Sequence, residues 1–282
     1  MKIGLALSGG GIRGIAHAGV LKALEENNIK IEAIGGTSSG SMVSALYSMG
    51  YTPDEIYELV KKYASTIVKL NSNTIRKEIK NFIFKHKICS QGINDGKFIE
   101  EIFNKKALEK GIKNISDIKM PIVIPTVDIT TGEEYIFTSV KSHKKNHIST
   151  IEVGKAVRAS SSFPLIYEPM KYKDKLFLDG GILNNIPARE VKELGADKVI
   201  SVKFDNDKID NESNAIDIGM KIMDMMTEKI IDKDITKSDY IITIPTDETG
   251  ILDVTKIDLC FKSGYETTKK QIKEILNKLD KS

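Results

Sequence analysis

Ser38 is the residue whose surroundings point most directly to chemistry. It stands in Gly36-Thr37-Ser38-Ser39-Gly40, a G-x-S-x-G pattern. An apolar run at 31–34 comes just before this pattern, and residues 41–49 after it carry apolar side chains at helical spacing. A strand, a tight turn and a helix in that order form the nucleophile elbow of serine hydrolases. The same residues also suit an ordinary turn, so the pattern alone makes Ser38 a candidate nucleophile.

The usual base for such a serine is a histidine that follows it in the chain, with the acid in between. The four histidines of this chain all lie at or before position 147: His17, His86, His143 and His147. By order alone, Asp128 with His143 or His147 would complete a triad. Both histidines, however, belong to the strongly basic stretch 141–147, which is typical of a solvated loop. A conventional triad is therefore disfavoured.

A glycine-rich loop, Gly9-Gly10-Gly11-Ile12-Arg13-Gly14, follows the first apolar run. Its G-x-G-x-x-G spacing matches a dinucleotide fingerprint, which requires an acidic residue at the end of the second strand. That position holds Gly35-Gly36 instead, so nucleotide binding is the weaker interpretation. Consecutive amides without side chains also form a nest for a negative oxygen. If the first two strands are parallel neighbours, this loop and Ser38 lie at the same edge of the sheet.

A third pattern, Asp179-Gly180-Gly181, follows the short apolar run 176–178. Alone it is most often a turn. Together with the glycine loop and the elbow, in this chain order, it makes the sequence resemble the bacterial patatin-like phospholipases. Three further segments support the resemblance: Arg13–Leu24, Arg158–Pro164 and Asn184–Pro187. The resemblance covers roughly residues 3–205.

The resemblance implies an α/β fold, a patatin-like three-layer α/β/α sandwich with a mostly parallel central sheet. It also implies a Ser–Asp dyad in which Ser38 is the nucleophile and Asp179 the general base. The glycines that correspond to the family's oxyanion loop are Gly9, Gly10 and Gly11. Other positions support the motifs: Arg13, Gly14, Gly36, Gly40, Gly180 and Gly181. The dyad leaves no role for a metal or a cofactor, and the implied substrates are the acyl esters of phospholipids or lysophospholipids.

The elements that must position these residues alternate between strand and helix. Strands at 3–7 and 31–34, with helices at 15–26 and 41–49, open a doubly wound parallel sheet. Thr52 and Glu55 form a capping box for another helix. Further strands are predicted at 122–127, 135–138, 176–178, 199–202 and 240–244. Further helices are predicted at 151–159, 187–194 and 215–230, and from Ser263 onward.

The composition excludes several classes of protein. The chain has 282 residues, of which 40% are hydrophobic and 29% charged, so it is neither disordered nor collagen-like. Its net charge of +3 argues against nucleic-acid binding by the protein as a whole. Two cysteines and no long apolar run favour a cytoplasmic protein without a transmembrane helix or a disulfide scaffold. We expect a single domain over residues 1–282.

The stretch 65–120 is a candidate insertion or lid. Within it, residues 69–87 are strongly basic and place apolar residues on one helical face. This pattern is typical of a helix that lies on an anionic membrane, which would make the protein peripheral at the membrane. The same pattern also suits an ordinary solvated helix that packs by its apolar side. The alternative to an enzyme is a non-catalytic patatin-like protein that binds lipid or a partner in the same cleft.

Overall fold

A computed structural model of the chain describes residues 1–68, 92–205, 237–245 and 253–280, together with the single residues 218 and 222. The strands are, in chain order, β1 (Ile3–Leu7), β2 (Ile31–Gly36), β3 (Gly92–Asn94), β4 (Ile122–Asp128), β5 (Glu133–Thr138), β6 (His147–Ile148), β7 (Leu165–Tyr167), β8 (Met170–Tyr172), β9 (Lys175–Asp179), β10 (Lys198–Phe204) and β11 (Tyr240–Ile244). The helices are α1 (Ala16–Glu26), α2 (Ser39–Ser48), α3 (Pro53–Val68), α4 (Lys97–Glu109), α5 (Val153–Ser160), α6 (Ala188–Glu193) and α7 (Ile257–Leu279).

The central sheet has the strand order β11-β10-β1-β2-β4-β5-β6. The five strands from β11 to β4 are all parallel to their neighbours, whereas β5 runs antiparallel to β4. The predicted mostly parallel sheet is thereby confirmed. Parallel order brings the carboxyl ends of β1 and β2 to the same edge, so the glycine loop and Ser38 leave the sheet side by side.

Strand β9 reaches the same edge from the opposite direction. One side of β4 pairs first with β2, through Val123 and Gly35, and then with β9. Since β9 is antiparallel to β4, its last residue, Asp179, lies opposite Thr126. Strand β9 therefore continues the line of β2 and ends where β2 ends. This arrangement brings Asp179 to the elbow.

Helices cover both faces of the sheet, as the α/β/α prediction requires. Leu5 and Leu7 of β1 point into the larger core, which includes residues from α1, α2 and α7. Ala6 points into a smaller core with Ala188 and Val191 of α6. This alternation is what a strand buried on both sides requires.

Most predicted elements lie within two residues of the observed ones, and the capping box of α3 is present. The Glu55 amide donates to Thr52 Oγ1 over 3.2 Å, and the Thr52 amide donates to Glu55 Oε2 over 2.8 Å. The last helix begins at Ile257, earlier than the predicted start at Ser263. Gly264 lies inside α7, where a β-carbon would approach the Ala16 carbonyl oxygen of α1 to 2.0 Å. Gly264, next to the predicted start at Ser263, is therefore a point of close contact between α7 and α1.

Helix α4 falls in the stretch 65–120, where the sequence analysis predicted no helix beyond the basic segment 69–87. Ile99, Phe103 and Ala107 form its buried stripe at spacings of four residues. The helix packs closely on α5, where a β-carbon on Gly154 would lie 2.1 Å from the Glu100 carbonyl oxygen. The predicted basic segment 69–87 and nearly all of the predicted helix 215–230 lie outside the described residues. Within the part of the chain that the structure describes, no helix has the length and apolarity needed to cross a bilayer.

Candidate active site

Ser38 occupies a strained turn between β2 and α2. Its backbone angles are φ 53° and ψ −122°, a region that residues other than glycine rarely adopt. The flanking glycines allow this turn. A β-carbon on Gly36 would lie 2.3 Å from the Gly40 carbonyl oxygen, and one on Gly40 would lie 2.5 Å from that of Leu7. A side chain at either glycine of the G-x-S-x-G pattern would therefore collide with a backbone carbonyl group.

Serine hydroxyls from two helices hold the elbow in place. The Ser38 amide donates to Ser160 Oγ over 3.1 Å. The Ser38 carbonyl accepts from Ser41 Oγ at 2.6 Å and from Ser161 Oγ at 3.3 Å. Strain of this kind persists only where the surroundings over-determine the backbone. Sequence reasoning noted the serine run 160–162 only as part of the resemblance and did not identify its contact with the elbow.

Asp179 is buried beside Ser38, with an exposed fraction of 1%. Its Oδ1 accepts a hydrogen bond from the Gly181 amide over 2.8 Å. Its Oδ2 has no well-formed hydrogen bond to any described residue, although the Ser38 hydroxyl lies close enough to act on the carboxyl group. Burial raises the pKa of Asp179 to about 7, against the opposing effects of the Gly181 amide and the Ser38 hydroxyl.

The glycine that follows Asp179 is needed for the close approach of two backbones. A β-carbon on Gly180 would lie 2.4 Å from the Pro125 carbonyl oxygen of β4. Gly181 supplies the amide that holds the carboxylate. The Asp-Gly-Gly pattern thus ends β9 and orients its last side chain towards the elbow.

The glycine loop lies against both the elbow and the segment after Asp179. A β-carbon on Gly9 would lie 3.1 Å from Ser38 Cβ, and one on Gly14 would lie 2.4 Å from Ser39 Oγ. The Gly9 amide already donates to Asn185 Oδ1 over 2.9 Å. No hydrogen bond from the amides of Gly10 or Gly11 is found among the described residues.

Gly10 and Arg13 of the loop are buried. Gly10 packs against the Phe204 ring, where a β-carbon would approach the ring carbon Cε2 to 2.5 Å. Gly11 begins a short 3₁₀ helix, Gly11–Ile15, with a positive φ of 60° that favours glycine. Arg13 is buried in this 3₁₀ turn. The loop therefore has no side chains at its three glycines, and neighbouring residues pack closely around it.

The histidines do not form a triad with Asp128 in the described part of the chain. Asp128 Oδ1 accepts from Thr130 Oγ1 over 2.8 Å, and its Oδ2 pairs with Lys175 Nζ over 3.1 Å. His143 is exposed, and no hydrogen bond or ion pair joins it or His147 to Asp128. His86 lies outside the described residues. The site that the structure assembles contains Ser38, Asp179 and the glycine loop.

The comparison with protein families decides what kind of chain this is. A family model described as patatin-like phospholipase matches residues 5–192, which is two thirds of the sequence. The chain belongs to the patatin-like phospholipase family. All three motifs lie within the matched residues.

Similar proteins include two lysophospholipases named NTE1. The protein from Meyerozyma guilliermondii is 32% identical over 200 residues, and the one from Scheffersomyces stipitis is 32% identical over 202 residues. Each alignment covers 71% of this chain, but only 12% and 11% of the respective relative. The chain therefore spans about an eighth of the length of these relatives.

Solved structures share the patatin-like fold over nearly the whole chain. VipD from Legionella pneumophila has a TM-score of 0.52 at 13% identity, and it covers 97% of this chain and 67% of its own. The type III effector ExoU has a TM-score of 0.52 at 15% identity, covering 97% of this chain and 53% of its own. Human GIVD cytosolic phospholipase A2, solved with methyl gamma-linolenyl fluorophosphonate, has a TM-score of 0.51 at 10% identity, covering 99% of this chain and 58% of its own.

Proposed function

We propose that this protein is a serine acyl hydrolase that cleaves the fatty-acyl ester bonds of phospholipids or lysophospholipids. The observation that carries the proposal is the meeting of Ser38, on its strained turn, with the buried carboxyl group of Asp179. Membership of the patatin-like phospholipase family supports a lipid ester as the substrate. The lysophospholipase name of the NTE1 relatives supports the same class.

In the first half of the reaction, Asp179 is the base and Ser38 the nucleophile. The Asp179 carboxylate takes the proton of the Ser38 hydroxyl while Oγ attacks the ester carbonyl carbon. The tetrahedral intermediate then collapses, the bond to the alcohol oxygen breaks, and Asp179 returns the proton to the leaving alcohol. The products are the free alcohol portion of the lipid and an acyl ester on Ser38.

In the second half, water replaces the serine as nucleophile. Asp179 takes a proton from the water, the resulting oxygen attacks the acyl-enzyme, and the bond to Ser38 Oγ breaks. The proton returns to Ser38, and the fatty acid leaves. A carboxyl group with a pKa of about 7 is a stronger base than an ordinary aspartate and is still about half ionised at neutral pH.

The negative oxygen formed in both halves needs preorganised donors. We assign this role to the amides of the glycine loop, chiefly Gly10 and Gly11, because the Gly9 amide already donates to Asn185. Backbone amides in a site that excludes water stabilise such an oxygen strongly, and loss of one donor typically lowers turnover about 10²–10³-fold. The remaining motif residues support the site: Gly14, Gly36, Gly40 and Gly180 allow close contacts that a side chain would block, and Gly181 donates its amide to Asp179. Arg13 lies buried in the 3₁₀ turn of the loop.

We expect kcat/KM for ester hydrolysis to fall as the pH drops below about 7. Only the ionised form of Asp179 accepts the serine proton, and its pKa is about 7. The rate should therefore fall about tenfold per pH unit below the pKa and reach roughly 1% of its plateau at pH 5. Initial rates with a soluble ester between pH 5 and 9 would measure this.

Circular dichroism over the same pH range is the control for unfolding. His17 does not complicate the profile, since burial lowers its pKa to about 4, against the effect of its hydrogen bond to the Ser8 carbonyl. A rate that stays constant from pH 5 to pH 9 in folded protein would contradict Asp179 as the base.

The function itself is tested by a panel of phospholipids and lysophospholipids, with fatty-acid release as the readout and Ser38→Ala as the blank. A second arm treats the protein with an alkyl fluorophosphonate and locates the label by mass spectrometry. We expect fatty-acid release from at least one lipid class and a label on Ser38. Folded protein that releases no fatty acid and takes no label would instead favour the non-catalytic, lipid-binding interpretation.

A further inference from the structure

The peptide group between Ser8 and Gly9 is held from both sides by side chains. Its carbonyl oxygen, on Ser8, accepts a hydrogen bond from His17 Nε2 over 2.8 Å. Its amide, on Gly9, donates to Asn185 Oδ1 over 2.9 Å. The carbonyl and the amide of a trans peptide point in opposite directions within one plane. Two partners on opposite sides therefore define the orientation of that plane.

The hydrogen bond determines which ring nitrogen of His17 carries the proton. A carbonyl oxygen only accepts, so Nε2 must be the protonated nitrogen. The side chain is fully buried, and its Nδ1 has no hydrogen-bond partner among the described residues. Among the residues that the structure describes, His17 thus makes a single polar contact, to the peptide that begins the glycine loop.

Phe204 lies against the His17 ring. The two rings are tilted at 45° with their centroids 5.1 Å apart. The same Phe204 ring packs against Gly10, the next residue of the loop. Phe204 therefore contacts both His17 and Gly10, the residue that follows the Ser8–Gly9 peptide.

Asn185 reaches the loop from the segment that also carries Asp179. The carbonyl oxygen of its neighbour, Asn184, accepts from Thr37 Oγ1 over 2.8 Å, next to the elbow. Asn184 is itself held by a hydrogen bond from its Nδ2 to Glu190 Oε2 over 2.9 Å. The segment 179–185 thus contacts the elbow and the glycine loop at once.

We propose that His17 and Asn185 are positioning residues that clamp the Ser8–Gly9 peptide and thereby aim the Gly10 and Gly11 amides at the oxyanion of acyl transfer. The proposal rests on the proposed function. A run of three glycines has no side chains to restrict its backbone, and glycine has the widest conformational freedom of any residue. Donors stabilise an oxyanion best when they are oriented before the reaction. The clamp supplies that orientation from outside the loop.

The test measures kcat and KM for 4-nitrophenyl butyrate in His17→Leu, Asn185→Leu and the double variant. Each single variant should lose about ten- to a hundredfold in kcat, with KM within about twofold of the wild type. Because both side chains act on one peptide, the double variant should lose little more than the worse single variant. Independent effects would multiply instead.

His17→Gln is the conservative variant. The glutamine amide nitrogen can replace Nε2 as a donor to the Ser8 carbonyl, so we expect it to restore most of the kcat lost in His17→Leu. The exposed His143→Leu is the matched control and should leave kcat unchanged. Thermal unfolding shows whether each variant is folded at the assay temperature, and kcat is calculated for the folded protein. Should His17→Leu fail to fold, Asn185→Leu and His17→Gln carry the test, since Asn185 is only half-buried.

Three results would overturn the clamp while the wild type hydrolyses esters and Ser38→Ala does not. The first is an unchanged kcat in Asn185→Leu. The second is a loss that appears in KM rather than in kcat, and the third is a loss in kcat that multiplies in the double variant. If the wild type neither hydrolyses esters nor takes a fluorophosphonate label on Ser38, the proposed function fails and the clamp proposal fails with it.

Discussion

Ser38→Ala and Ser38→Gly are both expected to lose hydrolysis, but the glycine variant should be the more stable of the two. Neither variant can form an acyl-enzyme, so fatty-acid release should fall to background. Alanine keeps the β-carbon and with it the strain at φ 53° and ψ −122°. Strain of this kind is about 1–3 kcal/mol, whereas glycine costs about 0.5–1 kcal/mol in chain entropy. We therefore expect glycine to be more stable by about 1 kcal/mol, measured by urea unfolding.

The matched control is the same pair of substitutions at Ser44, in the middle of α2. Its Oγ is buried without a hydrogen-bond partner among the described residues, so alanine removes no hydrogen bond there. There the order should reverse, because glycine in a helix is about 1 kcal/mol less stable than alanine. An order at Ser38 that matches the order at Ser44 would show that the elbow is not strained. Residual lipid hydrolysis in Ser38→Ala would exclude Ser38 as the nucleophile.

Asp179→Asn is expected to be inactive and yet more stable than the wild type at pH 8. Loss of a general base typically lowers the rate about 10²–10⁴-fold. The stability gain follows from the raised pKa, about 7 in the folded protein against about 3.9 in an unfolded chain. The folded state binds the proton more tightly, so the wild type loses stability as the pH rises from 4 to 7. Asparagine stays neutral and avoids this loss, which has an upper limit of about 4 kcal/mol.

The size of this gain should depend on pH. Near pH 4 the carboxyl group is protonated in the folded wild type, so the two proteins should differ little, and the difference should level off above pH 7. Melting temperatures at pH 4, 6 and 8 would follow it. A wild type that is the more stable protein at pH 8 would contradict the buried, raised pKa.

Asp128→Asn provides the opposite case. Burial raises the pKa of Asp128, but hydrogen bonds from Thr130 and Lys175 outweigh this effect and hold it below its usual value. Its ionised form is therefore stabilised in the fold, and asparagine should lower the free energy of unfolding at pH 8. The two aspartates lie on adjacent strands, so opposite signs would trace the difference to their partners rather than to burial as such.

The elbow was predictable from sequence because its requirements are local. Gly36 and Gly40 stand two residues either side of Ser38, and the backbone contacts that exclude a β-carbon there involve each other and the neighbouring strand. The alternation of strand and helix over the first fifty residues likewise follows from the spacing of apolar side chains. The early start of α7 and the existence of α4 were missed, although the apolar spacing of Ile99, Phe103 and Ala107 was present in the sequence.

The partners of the elbow were not predictable in the same way. Ser160 and Asn185 act through hydrogen bonds to backbone groups far away in the chain, and a serine or an asparagine carries no spacing signal for such a contact. The position of Asp179 depends on β9 running antiparallel to β4 and so ending beside β2. Chain order placed this aspartate after the serine but did not specify the direction of its strand.

The sequence by itself determined which groups are present and which backbone turns they can make: a serine between glycines, a loop of glycines and an aspartate at a strand end. Only the tertiary structure decided the pKa and the hydrogen-bond partners of those groups. Burial of Asp179 beside Ser38 raises its pKa to about 7, and the amide of Gly9 donates its hydrogen bond to Asn185. The reason is physical: steric limits on a turn act between near neighbours in the chain, whereas desolvation and hydrogen bonding depend on segments that only folding brings together.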